Sequence, residues 1–170
     1  MSMPDFLDEM TSCIPALRRY ANALTHDRDT ADDLVQDCLE RAIRKKALWK
    51  PQGPLRPWLY RVLVNVYRNN LRGRNRRPSQ IPIDDVAEQL FVPAAQTGRI
   101  ALAEMARAIE KLSGEHREAL LLVVVEGLSY AEAADILEIP LGTLMSRLGR
   151  ARTALARMTQ EDQPNLKVIK

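Results

Sequence analysis

Between Leu141 and Met158 the chain carries four arginines, Arg147, Arg150, Arg152 and Arg157, and no acid. A guanidinium can bond a guanine edge bidentately or neutralise a phosphate. Asn65, Asn69 and Asn70 fall close together in a segment with a helical pattern. Asparagine is a poor interior helix residue. Its amide can bond base edges in duplex or single-stranded nucleic acid, which gives the cluster another use. The segment LWKPQGPLRPW, residues 48–58, sets Trp49, Trp58, Lys50 and Arg56 among prolines and a glycine. Aromatics and bases on such a loop suit stacking on unpaired bases. Either tryptophan could instead anchor the loop in a core, and Trp58, which opens the next apolar stripe, fits that role better. Asp29, Asp32, Asp33, Asp37 and Glu40 crowd the other end of the chain. Acids at a helix start complement its dipole, but this run exceeds what capping needs.

The elements that must position these groups read as helices. Ser129 followed by Glu132 is a capping box that opens a helix burying Ala131, Ala134, Ile136 and Leu137. Glu138-Ile139-Pro140 breaks it, because proline cannot donate in a helix interior and suits a helix start. Beyond it Leu141, Leu144, Leu148, Ala151, Leu155 and Met158 form one apolar stripe. Gly142, Ser146, Gly149, Arg150, Thr153 and Arg157 occupy the opposite face. Two helices, a tight turn and a small, arginine-bearing outer face have the form of a DNA-binding helix-turn-helix. An ordinary helical hairpin with a solvated basic face has the same pattern.

Upstream, residues 5–25 predict a helix with Asp5 as cap and Pro15 marking a break or fresh start. Its stripe is Ile14, Leu17, Tyr20, Ala21 and Leu24. A second helix, 29–46, buries Leu34, Val35, Cys38, Leu39, Ala42 and Ile43. A third, 58–72, buries Leu59, Val62, Leu63, Val66 and Leu71, leaving Tyr60, Arg61, Asn65, Arg68, Asn69 and Arg72 to other faces. The pattern lapses over 78–98, which predicts a flexible linker. Helix resumes near Ile100 to Leu112, Ser113 caps the next helix, its Leu120–Val125 run is buried all round, and Gly127 ends it. The expected fold class is all-α, with two small helical domains at 1–77 and 99–160 and a tail at 161–170.

Charge is strongly segregated although the net charge is only +3. Residues 1–40 and 78–141 are acidic, while 41–77 and 142–158 hold bases and no acid. Such asymmetry points to nucleic acid at the basic blocks. The acidic blocks face either a basic protein partner or water. Cys13, Cys38, His26 and His116 are isolated, so no metal, cofactor or disulfide framework is expected. No nucleophile–base pair or phosphate loop suggests catalytic residues, so an enzyme is not expected. There is no signal-peptide core, and the longest apolar run is far short of the about 20 residues that span a bilayer. A cytoplasmic protein without membrane insertion is expected.

Three stretches, ADDLVQDCLERAIRK, LRPWLYRVLVNVYRNNLRGRNRR and LSGEHREALLLVVVEGLSYAEAADILEIPLGTLMSRLGRAR, stand in order over nearly the whole length. On them the chain resembles bacterial RNA polymerase sigma factors of the extracytoplasmic-function group, built of sigma domains two and four. Through LRRYANALTHDRDTADDLVQD it is similar to the alpha-proteobacterial general-stress branch. The resemblance implies that Asp33, Gln36, Asp37 and Glu40 dock on the clamp helices of the polymerase largest subunit. It implies that Lys50, Arg56, Asn65, Asn69 and Arg72 engage promoter DNA at the −10 element, whose bases flip out as the duplex opens. It implies that Thr143, Met145, Ser146, Arg147 and Arg150 read the −35 element in the major groove. Met145 and Gly149 stand where some members carry larger or basic residues. An anti-sigma factor is the further partner implied.

Two alternatives remain. A sigma-like mimic would sequester an anti-sigma factor without touching DNA, but such mimics are fused to a receiver domain, which is not read here. A plain helix-turn-helix regulator explains the last helices but neither the acid-rich helix nor the tryptophan loop.

Overall fold

The computed structural model describes residues 3–49, 53–75 and 96–161. Lys50, most of the expected linker and the expected tail beyond Glu161 lie outside them. Every regular element among the described residues is helical. Helix α1 spans Met3–Thr25, α2 Arg28–Arg44 and α3 Leu55–Asn75, with a short 3-10 turn at Lys46–Leu48. Helix α4 spans Gln96–Glu110, α5 Gly114–Leu120, α6 Tyr130–Leu137 and α7 Leu141–Glu161.

Helix α1 runs through Pro15 rather than breaking there, and Asp5 lies inside its first turn rather than at its cap. An interior proline costs about 3 kcal/mol. Burial of Phe6, Met10, Cys13, Leu17, Tyr20, Ala21 and Leu24 on both sides of Pro15 outweighs that. His26, with φ +56°, turns the chain, and Asp27 caps α2 by accepting from the Thr30 amide at 2.8 Å. That carboxylate, rather than Asp29, is where the second helix starts.

Helix α3 begins three residues earlier than its apolar stripe suggests. Pro57 is accommodated because first-turn amides lack intrahelical partners anyway. The Leu55 amide instead donates to Glu9 Oε1 of α1 at 3.1 Å, so one helix caps another. Trp49 is buried against Phe6, ring centroids 5.8 Å apart, and Trp58 is partly buried on the same core. Trp49 therefore serves as an anchor and is not open for base stacking. Tyr60, expected on an outer face, is completely buried and meets Tyr20 edge to face at 5.3 Å. Leu71 and Ile43 are exposed instead of buried.

In the second half, Ser113 stands at the start of α5 but its side chain makes no capping bond. The run Leu121–Val125 forms a π turn, with the wider i→i+5 bonding. Leu121 and Leu122 are buried, but Val124 and Val125 face out, so the run is not buried all round. Gly127 then takes φ +67°, the left-handed conformation expected of a helix-ending glycine. The capping box forms on both sides: Ser129 Oγ accepts from the Glu132 amide, and Glu132 Oε2 accepts from the Ser129 amide. Glu138 ends α6 in the left-handed region, φ +56°. Leu144, Leu148 and Ala151 anchor α7, whereas Leu141 is exposed at its first position and Ala131 on α6 is exposed too.

The two helical domains pack against each other. Helix α3 packs on α6, and α1 on α5 and the π turn, so one continuous core runs between them.

Candidate nucleic-acid and polymerase interfaces

On α7 the 3.6-residue period sorts the side chains. Burial of Leu144, Leu148 and Ala151 leaves Thr143, Met145, Ser146 and Arg150 on the open side. Arg150, Ser146, Gly149, Thr153 and Arg157 line a shallow groove with His116 of α5. Arg150 and Arg157 make no ion pair with a described residue, so this groove is electropositive. Arg147 is placed differently. Its guanidinium turns toward α5, 3.0 Å from Glu115 Oε2, and only 15% of the side chain is exposed. Arg152 donates to the Tyr130 hydroxyl at 3.1 Å, tying α7 to α6.

On α2 the buried Ala31, Leu34, Val35, Cys38 and Ala42 turn Asp33, Gln36, Asp37 and Glu40 to the surface together. Gln36 donates to Glu40 at 3.3 Å, Arg44 pairs with Glu40 at 3.1 Å, and Arg18 pairs with Asp32 at 3.1 Å. Asp33 and Asp37 have no such partner among the described residues. Asp32, Asp33, Gln36 and Glu40 line a groove between α1 and α2 with the apolar Ile14, Val35, Leu39 and Ile43. An acidic surface with apolar side chains suits a basic, amphipathic partner helix. Cys38 beneath it is inert, because burial pushes its thiol up to about 12.

On α3 the candidates divide. Asn69 and Arg72 are exposed on the last turns, where Arg72 donates to Asn69 Oδ1 at 3.5 Å, and Asn65 is half-buried one turn earlier. Arg56 is elsewhere, at the first turn, and is engaged. Its Nη2 donates to the Glu126 carbonyl at 2.8 Å and lies 3.2 Å from Glu126 Oε2. Its guanidinium stacks over the Tyr60 ring at 5.6 Å.

Glu126 is the centre of a cluster that the sequence did not single out. Its side chain is wholly buried, and it accepts from Arg19 Nε at 3.0 Å, Arg19 Nη2 at 2.7 Å and the Tyr60 hydroxyl at 2.6 Å. Its bonds to Arg19 strengthen that guanidinium's hold on its proton. Burial, and then the hydrogen bond to Glu126, push the Tyr60 phenol well above the ordinary tyrosine range. Nearby Glu118, also buried, accepts from Arg68 at 2.7 and 3.2 Å. Arg61 pairs with Asp135. One signal was available: Glu118 and Glu126 bracket an apolar run, and Arg61 and Arg68 recur on one side of α3.

Two family models match this chain, the sigma2 domain of PhyR over residues 10–64 and sigma-70 region 4 over residues 102–155. The chain is 36% identical over 163 residues to the ECF RNA polymerase sigma factor EcfG of Rhodopseudomonas palustris, covering 95% of this chain and 90% of that protein. It is 32% identical over 139 residues to the ECF RNA polymerase sigma-E factor of Escherichia coli, covering 75% and 73%. Among solved structures, the sigma factor RpoE of Bartonella quintana, in complex with the anti-sigma factor NepR, superposes with a TM-score of 0.78 at 34% identity over 94% of this chain and 99% of that one. CnrH, in complex with the cytosolic domain of CnrY, gives 0.70 at 26% identity over 95% and 91%. Full-length likeness to named members, with both sigma modules in order, places the chain in the extracytoplasmic-function family of RNA polymerase sigma factors.

Proposed function

We propose that this sigma factor divides its work among three surfaces. The carboxylates of Asp33, Asp37 and Glu40, with Gln36, grip the clamp helices of the polymerase largest subunit. Lys50, Arg56, Asn65, Asn69 and Arg72 take the −10 element as its bases leave the stack. Thr143, Met145, Ser146 and Arg150 read the −35 element, while Arg147, held by Glu115, sets the helix on its support. The observation that carries this is α7. One face is locked into the core and the other is open, electropositive and free of acid. Unstacking a base costs a few kcal/mol. Stacking at about 1–3 kcal/mol per base is available to offset it. The work belongs in the cytoplasm, and no described helix is long and apolar enough to cross a membrane.

Control by an anti-sigma factor follows from the likeness to RpoE of Bartonella quintana, which was solved with NepR. A second reading, a mimic that only sequesters such an inhibitor, draws on the match of the first module to the PhyR sigma2 domain. Transcription in vitro with core polymerase tests both. Arg150→Ala should weaken −35-dependent initiation and leave core binding intact. Asn65→Ala should impair use of the −10 element without changing binding to an isolated −35 duplex. Loss of core binding in Arg150→Ala would contradict the division of surfaces. Failure of the native chain to bind core polymerase would favour the mimic.

A further inference from the structure

The open side of α7 has two unlike flanks. Gly142, Ser146, Gly149 and Thr153 run down its middle, and no atom lies within 4 Å of where a Cβ would stand on either glycine. At about 100° per residue, Arg150 stands about 70° to one side of that line and Met145 about 70° to the other. Arg157 joins Arg150 on the first flank. On the second, Met145 is 54% exposed, and Leu141, one turn before it, is 49% exposed. Arg152, on the same flank, is turned to the Tyr130 hydroxyl at 3.1 Å. A lone exposed methionine would need no explanation. This one adjoins an exposed leucine on an acid-free stretch of helix, with glycines three residues before it and four after. We propose that Met145 is a specificity-determining residue that reads the C5 methyl groups of thymines in the major groove, across the helix from the flank where Arg150 offers its donors. The inference rests on the −35 reading above and adds the base that this flank selects.

Geometry and chemistry lead to the same group. A helix about 10–12 Å in diameter fills a major groove about 12 Å wide, so both flanks meet base edges. Met145 lies in the second turn of α7, which starts at Leu141, and the N-terminal turns of a recognition helix are the ones that reach base edges. Long helical side chains lean toward the helix start, which carries this thioether toward Leu141 and the open ground left by Gly142. A thioether has no donor and only a weak acceptor. The polar marks on base edges ask for a donor or an acceptor, whereas the thymine methyl asks for apolar contact. Methionine is unbranched and polarisable, so it can follow that methyl as the helix settles. Continuity with the arginine flank commits this apolar edge to nucleic acid, since one helix in one groove covers both.

The test uses holoenzyme assembled from core polymerase and the full chain, on promoters randomised through the −35 element. Native holoenzyme should enrich at least one thymine, on either strand, beside a position whose base identity depends on Arg150. Met145→Ala shortens an exposed side chain and should keep the native melting temperature. It should lose that thymine and keep the Arg150-dependent position. Uracil in place of the enriched thymine removes only the methyl. It should weaken initiation by the native holoenzyme about fourfold, the weight of one buried methyl group, and make no difference to Met145→Ala. Met145→Leu should restore the difference. Equal use of thymine and uracil by the native holoenzyme would overturn the inference while leaving −35 reading intact. So would an equal loss on uracil in the native and Met145→Ala holoenzymes, which would give the methyl another reader. A uniform loss on every promoter in Met145→Ala, with thymine or uracil alike, would set a protein rather than a base against this side chain and overturn it too. No enrichment at all through the −35 element would refute the −35 reading itself, and the inference with it.

Discussion

Removing one oxygen tests whether the closed packing holds in solution. Tyr60→Phe deletes the hydroxyl that donates to Glu126 Oε2 at 2.6 Å and keeps the ring that packs on Tyr20. A hydrogen bond to a charged group contributes about 1.5–3 kcal/mol. The carboxylate keeps Arg19 and Arg56 as donors, so it is not orphaned, and the cost falls near the lower end, about 1.5 kcal/mol. For a chain of this size that lowers the melting temperature by about 3–6 °C. Tyr20→Phe is the control. Its hydroxyl donates to the Glu118 carbonyl at a longer 3.3 Å, a neutral bond of about 0.5–1 kcal/mol. Scanning calorimetry on both variants should therefore rank Tyr60→Phe as clearly the more damaging. If Tyr60→Phe were neutral or stabilising, the hydroxyl would be solvated in the free chain, and the closed arrangement around Glu126 would not be its ground state.

Arg150→Ala and Arg147→Ala should separate contact from support. The first should weaken an isolated −35 duplex by about tenfold to a hundredfold, in line with 1–3 kcal/mol per base contact, with an unchanged melting temperature; the second should lower the melting temperature first, which calorimetry beside a fluorescence titration would show. Gly127→Ala should cost about 1 kcal/mol by chemical denaturation, because φ +67° is strained for any side chain while nothing lies within 4 Å to clash. Alkali should also destabilise the fold. Burial raises the phenols of Tyr20, Tyr60 and Tyr67 above the ordinary 10.0, so the stability from keeping them neutral is complete below pH 10. Above pH 10 the unfolded chain loses protons that the native one keeps, and stability should fall by at most about 1.4 kcal/mol per pH unit for each such tyrosine. A urea midpoint flat between pH 9.5 and 11 would refute that.

Where local chemistry decides, the sequence was readable. The Ser129–Glu132 box, the break before Pro140, the left-handed Gly127 and the α7 stripe depend on neighbours a few residues away. Where distant groups decide, it was not. Pro15 sits inside a helix because a long stripe is buried on either side of it. Leu55 opens α3 because Glu9 of another helix meets its amide. Trp49, surrounded by prolines and bases, fits a stacking loop until Phe6 is seen beneath it. Tyr60 belongs to an outer face of an isolated α3 and becomes interior only because Tyr20 of α1 and Glu126 of the second unit meet it. The alternation of acidic and basic blocks was plain in the chain, but it did not show that one block neutralises another. Acid on α2 remains at the surface, whereas Glu118 and Glu126 face inward.

The turn at Leu121–Val125 has a mechanical consequence. Along an unbroken α-helix, eight steps leave two side chains about 80° apart. The wider loop offsets that rotation, since it fits an additional residue into the coil, and Glu118 and Glu126 are both buried, each against an arginine of α3. The length of the run, more than its greasiness, is what aims the second carboxylate. Deleting outward-facing Val124 should leave an ordinary helix with the two acids about 20° apart and the fold intact, as the melting temperature would report. Adding a single alanine there should swing Glu126 by about 100° toward water and leave Arg19 and Arg56 facing nothing.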